Sequence, residues 1–169
     1  MTTRRQRTVD GTGPDAWAEQ LATAGGGTAD GSSRPHESRR LLVVGGGQVG
    51  RRLAESLATT HAVHHLDTDR NVTRTPESHE ASHASDLASP SALAATGITG
   101  DDEAVVATGL DGRSLLVVQQ LRTRFGLERL LVVLEDPRNR EAFDLPGVEV
   151  VCPGETLSAA VSSLVTGEP

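Results

Sequence analysis

Leu41-Leu42-Val43-Val44-Gly45-Gly46-Gly47-Gln48-Val49-Gly50-Arg51-Arg52-Leu53 decides the fold. The apolar run at its start reads as a buried strand, and from Gln48 onward the spacing predicts a helix with Val49, Leu53 and Leu57 stacked at four-residue intervals. Between them lies Gly45-x-Gly47-x-x-Gly50. The motif is weak alone, but it gains meaning from a strand before it and a helix after it. In that setting Gly45 allows the tight turn, Gly47 lets backbone approach a pyrophosphate, and Gly50 lets the helix pack closely on the sheet. The helix N-terminus would turn its free N–H groups toward the phosphates.

A second strand is expected over Ala62-Val63-His64-His65-Leu66, closed by Asp67. An acid at the end of the second strand is the residue that takes the ribose hydroxyls in such a unit. Read singly, the glycines could form an ordinary loop and Asp67 a turn; together with their flanking elements they point to nucleotide binding. An acid there disfavours a 2′-phosphate, although Arg70 stands close by. NAD, NADH, ATP and ADP share the adenosine-ribose half, and the residues leave the choice among them open.

The 169 residues suit one domain with a tail. The net charge is −7, and every one of the 16 basic residues is arginine. Six of these fall before residue 41 against five acids, so the acidic excess sits in the rest of the chain. A domain of that sign repels a phosphate backbone, which disfavours nucleic acid as a partner. The lone Cys152 excludes an internal disulfide and reads as a small buried residue at a strand end. No apolar run reaches membrane-spanning length, and Arg4-Arg5 is followed by no hydrophobic segment, so a cytoplasmic location is expected.

Residues 1–38 are rich in Thr, Gly, Ser and Arg and are expected to form a disordered tail, with a short helix near 14–24 holding Trp17 and Leu21. Residues 39–167 form the domain. After Asp67 a polar connection runs to about Ser82, a third strand is expected around His83-Ala84-Ser85 ending at Asp86, and Ser89-Pro90 opens a short helix through Ala95. Glu103–Ala107 reads as the fourth strand, and a helix from Asp111 or Ser114 ends at Gly126. Leu130–Leu134 is continuously apolar, which predicts a strand covered on both faces. A short helix after Asp136-Pro137, a sixth strand over Val148–Cys152 and a last helix over Thr156–Thr166 complete the chain. Strands alternating with helices predict an α/β, Rossmann-like, doubly wound, parallel six-stranded sheet.

The order of these motifs resembles the TrkA-N, or RCK N-terminal, family of nucleotide-binding domains that regulate potassium channels and transporters. The likeness runs from Leu41 to about Leu164 and rests on the glycine loop with Val49-Gly50-Arg51, on Leu66-Asp67-Thr68-Asp69, and on Asp101–Gly109 leading to Asp111. It implies that Gly45, Gly47, Gln48, Val49, Gly50, Asp67, Thr68, Asp86, Thr108 and Gly109 bind the cofactor, NAD(H) or alternatively ATP or ADP. It also implies a homodimer or larger ring and a potassium channel or transporter membrane subunit as client, with attachment to the membrane only through that subunit. Ser85, Ser114 and Val133 depart from the family, which commonly has glycine, asparagine and arginine there. Members usually continue into a second sensing domain or a pore; this sequence offers neither, which implies action in trans.

His79-Glu80-Ala81-Ser82-His83 matches H-E-x-x-H, a helical zinc motif, but its flanks supply no amphipathic helix and the segment enters a strand. His64 and His65 alternate along a strand and cannot share a face. There is no tyrosine or lysine to serve as a dehydrogenase base, and no acid–base pair stands out, so binding or sensing is expected rather than catalysis. The alternatives are a small NAD-dependent oxidoreductase and a stand-alone nucleotide sensor with a client unrelated to transport.

Overall fold

The computed structural model describes residues 39–74 and 77–167. The expected tail and the helix near Trp17 lie outside them.

Six parallel strands pair in the order β3-β2-β1-β4-β5-β6: β1 Arg40–Gly45, β2 Ala62–Asp67, β3 Glu80–His83, β4 Glu103–Ala107, β5 Arg129–Val133 and β6 Val148–Val151. Connectivity runs outward from β1 to one edge, then returns to β4 and runs outward to the other. The reversal between β1 and β4 opens a crevice at the carboxyl ends of the strands. The doubly wound sheet expected from the sequence is therefore present.

The central strands are the most apolar because each is packed on two faces. Leu42 and Val44 of β1 join Ala104, Val106, Leu130 and Val132 in one cluster, under α2 (Pro90–Ala95) and α3 (Asp111–Phe125). Val117, Val118 and Leu121 of α3 are fully buried there, and truncating Leu121 to alanine would cost about 2–5 kcal/mol. Gly126 ends α3 at a φ of 73°, in the left-handed region that a side chain disfavours. On the opposite face Leu41, Val43, Val63 and Val105 meet α1 (Gly47–Leu57).

Four expectations need correction. The buried stripe of α1 is Gly50, Ala54 and Leu57, with Leu53 partly buried, while Val49 is 75 % exposed. Helical spacing stacks Val49 with Leu53 and Leu57; in the structure the first turn of α1 borders the crevice, and Val49 lines the cleft there. The third strand runs Glu80–His83, ahead of the expected His83–Ser85, because its pairing with β2 begins at His64↔Glu80. Ser89 occupies the N-cap of α2, yet its hydroxyl meets Ser91 and makes no capping bond. Finally, β5 is covered unequally on its two faces: Leu130 and Val132 are buried, while Leu131 and Val133 pack against the α1-side cluster but stay half-buried.

The reason lies in α4 (Pro153–Thr166), none of whose residues is buried. Leu157 is 65 % and Leu164 84 % exposed, so this helix adds little cover to the half-buried face of β5. The polar connection after β2 carries no helix of its own among the described residues, and Val72, fully buried, anchors it.

Candidate functional site

A cleft of about 500 Å³ lies over the β1–β4 reversal. Its floor is the turn from β1 into α1. Gly46, the N-cap, has no side chain to offer, and the Gly47 N–H is taken instead by the Asp67 carboxylate. The first N–H groups of a helix have no partner within it. Gly47, at a φ of 53°, has nothing within 4 Å of where a Cβ would stand. A phosphate can therefore approach this backbone closely, and a side chain would occupy its place.

Gly50 has the opposite surroundings. A Cβ there would collide with the carbonyl oxygen of Gly45 and stand 3.0 Å from His65 Nε2. The third glycine of the motif thus lets α1 start directly beneath the turn.

Asp67 is buried at the end of β2, with Oδ2 accepting the Gly47 N–H at 2.9 Å and Oδ1 accepting the Asp69 N–H at 2.8 Å. Each carboxylate oxygen keeps a lone pair for a ribose hydroxyl. His65, wholly buried, places Nε2 3.0 Å from the Gly45 carbonyl oxygen and 3.4 Å from Asp67 Oδ2. Because a carbonyl can only accept, the proton sits on Nε2 and His65 donates it. One imidazole therefore ties the glycine turn to Asp67. The sequence analysis missed this residue, although its place two positions before Asp67 was the available signal.

Of the expected site residues, Gly45, Gly47, Val49, Asp67 and Thr68 line the cleft from one side and Thr108 and Gly109 from the other. Gln48 is exposed in the first turn of α1, and Gly50 lies buried below it. Asp86 is not among the lining residues; its Oδ1 accepts the Ala88 N–H at 3.0 Å, and the adjacent Leu87 faces the cleft instead. Asp69, Arg113 and Glu135, none of them among the expected site residues, add charge to the lining. The pairing of Gly45 with Ala107 is what brings the expected Thr108 and Gly109 to face the glycine turn.

Asp111, at the start of α3, holds the far wall. Its carboxylate accepts the Glu135 N–H at 2.9 Å, the Asp136 N–H at 3.1 Å and Asn139 Nδ2 at 2.7 Å. Burial works against its ionisation, but these three bonds prevail and hold its pKa below the ordinary value. Asp136 in turn caps the 3-10 helix Pro137–Phe143 by accepting the Arg138 N–H. The hydroxyls of Thr108 and Ser114 meet at 2.9 Å, so Ser114 fixes the loop from β4 into α3.

The H-E-x-x-H residues are engaged in the sheet edge. Glu80 meets Arg40 at 3.4 Å and His64 Nδ1 at 3.2 Å, while His64 Nε2 lies 2.7 Å from Ser82 Oγ. Among the described residues, no group of three or more His, Cys, Asp or Glu could hold a metal ion. Burial pushes the Cys152 thiol up, against the pull of Arg140, so it is not a ready thiolate. No described helix is long and apolar enough to cross a membrane.

A parallel sheet in the order 3-2-1-4-5-6 with a glycine turn at its reversal defines a dinucleotide-fold domain. Residues 41–153 match the TrkA-N domain, and the chain belongs to that family. Among curated proteins no sequence matches it. Solved structures agree in fold. The NAD(P)-binding domain of an exopolyphosphatase-related protein from Archaeoglobus fulgidus is 19 % identical, with a TM-score of 0.62 over 75 % of this chain and 97 % of that one. The Kef CTD of Shewanella denitrificans, in AMP-bound form, is 14 % identical, with a TM-score of 0.60 over 78 % and 83 %. A xanthine dehydrogenase from Bacillus halodurans is 14 % identical at a TM-score of 0.52; 78 % of this chain aligns with it, spanning 44 % of that longer protein.

Proposed function

We propose that this chain is a regulatory domain that binds NAD(H), or alternatively ATP or ADP, in the cleft over β1 and β4, and acts in trans on a cytoplasmic face of a potassium-transport subunit. The observation that carries the binding half is the open backbone at Gly47 beside the buried Asp67, a phosphate cradle next to a ribose acceptor. Membership of the TrkA-N family supports the regulatory half. Nucleotide-bound relatives of the same fold, one with AMP and one with β-NADH, accord with this choice of ligand.

The partner surface in this reading is a second copy of the chain. The apolar side of α4 is exposed and the face of Leu131, Val133 and Val151 only partly covered on one molecule, and each is the kind of surface the other would bury. A two-fold exchange would lay the α4 of each copy on the half-face of the other. A nucleotide that binds one arrangement of the pair better than another shifts that equilibrium by its difference in affinity.

Two measurements test this function. The melting temperature of the full chain should rise with NADH or ADP, as linkage requires, and Gly47→Trp should abolish the rise. Light scattering at tens of micromolar should give a dimer or larger assembly that Leu164→Glu dissociates. Unmoved melting with every nucleotide removes the binding half, and a strictly monomeric wild type removes the gating half.

A further inference from the structure

The far half of the cleft holds one arginine, Arg113, and nothing described in the protein engages it. Arg113 lies in the first turn of α3, is exposed, and lines the cleft with Gly45, Gly47 and Glu135. It has no hydrogen bond or ion pair among the described residues. Arg40, Arg51, Arg129, Arg138 and Arg140 each meet a carboxylate; Arg52, Arg70, Arg74 and Arg124 have no such partner either among the described residues, but none of them lines the cleft.

The carboxylate best placed in sequence to neutralise Arg113 is Asp111, on the same turn, and it is already committed. Its two oxygens accept from Glu135, Asp136 and Asn139, which turns the acid away from the cleft and into the wall behind it. The cation is thus left over by a bonding pattern that fixes everything around it. It stands beside Thr108 and Gly109 at the N-terminus of a 15-residue helix, where the backbone also favours negative charge.

The ends of the cleft differ in chemistry. Asp67 and Asp69 line the β2 side, where acids suit hydroxyls and repel phosphates. The glycine turn occupies the middle, and on the far side stand Arg113 and the single acid Glu135, which form no ion pair with each other. A ligand laid across it meets a ribose acceptor, then a backbone phosphate cradle, then a guanidinium.

Building on the nucleotide reading above, we propose that Arg113 is a specificity-determining residue that reads a second phosphate group, so that the cleft selects adenosine carrying two or more phosphates over AMP and adenosine. The guanidinium presents several N–H donors in a fixed fork, which suits a phosphate with two free oxygens. A monophosphate held at Gly47 leaves that fork unfilled. The shared chemistry is that of ADP, ATP and the dinucleotide NAD(H).

The test is a calorimetric titration of the full chain, wild type and Arg113→Gln, with AMP, ADP and NADH at one ionic strength. Wild type is expected to bind ADP at least about ten-fold tighter than AMP, the worth of one charge-assisted contact. In R113Q that ratio should fall toward one, and Arg113→Lys should restore part of it. A NADH preference lost in parallel with ADP assigns the contact to a shared pyrophosphate; loss for ADP alone assigns it to a terminal phosphate; either supports the reading. An ADP-to-AMP ratio unchanged by R113Q, with AMP still bound, overturns the role of Arg113 and leaves nucleotide binding standing. Absence of binding by wild type for all three ligands removes both.

Discussion

Replacing Gly50 with alanine adds one methyl group at the most crowded point of the site. Helix propensity alone expects a gain, since alanine is better than glycine in a helix interior by roughly 1 kcal/mol. Packing decides the other way. The new Cβ would collide with the Gly45 carbonyl oxygen and stand 3.0 Å from both the Gly45 carbonyl carbon and His65 Nε2, where ordinary contact begins at 3.4 Å. Two of these three atoms are backbone and cannot rotate aside, so α1 must lift from the turn. Overpacking of this kind costs about 1–3 kcal/mol, and the net loss after the propensity gain is ~0–2 kcal/mol, up to a few degrees in Tm. The lift also opens the Gly47–Asp67 contact, so nucleotide affinity should fall by more than the stability does. Urea unfolding measures the first effect and calorimetric titration the second. A Gly50→Ala protein as stable as wild type, with unchanged affinity, would refute the close-packed role given to Gly50.

Further outcomes follow from the same geometry. Asp111→Ala removes three hydrogen bonds from the turn after β5 and should cost about 1–2 kcal/mol in urea unfolding, with faster amide exchange at Glu135 and Asp136; Asp111→Asn should recover part of it. Burial lowers the pKa of both His64 and His79 below their ordinary value of 6.5. The unfolded chain then binds more protons between the folded and unfolded values, so the contribution is complete above 6.5 and is lost as pH falls toward the folded values. Thermal melts should therefore decline below about pH 6.5, and His64→Gln with His79→Gln should flatten that decline.

The sheet was legible because its signals are local. Strand-length apolar runs at Leu41–Val44, Ala104–Val106 and Leu130–Val133, each followed by a turn, fixed the alternation of strands and helices. The glycine turn and Asp67 were legible for the same reason, since one short loop and one strand end bring them together across 20 residues. What escaped depends on distant partners. Helical spacing cannot report that Val49 lines a crevice, nor can an apolar run at Leu130–Leu134 report that the helix meant for one face adds little cover to it. Alternation along the strand puts His64 and His65 on opposite faces, but only the approach of the glycine turn makes His65 a buried donor. Asp111 stood out as an acid beside a ligand loop, yet it contacts wall backbone and leaves Arg113 to face the cleft.

The central claim is that a nucleotide sits on the Gly47 backbone with its ribose on Asp67. Titration of NADH and ADP into the full chain, beside Gly47→Trp and Asp67→Ala, tests it most directly. Saturable binding of one nucleotide per chain to wild type is expected, abolished by the indole at position 47 and weakened at least about ten-fold by loss of the buried acid. No heat for either nucleotide at millimolar concentration, or equal binding by Gly47→Trp and wild type, would contradict it.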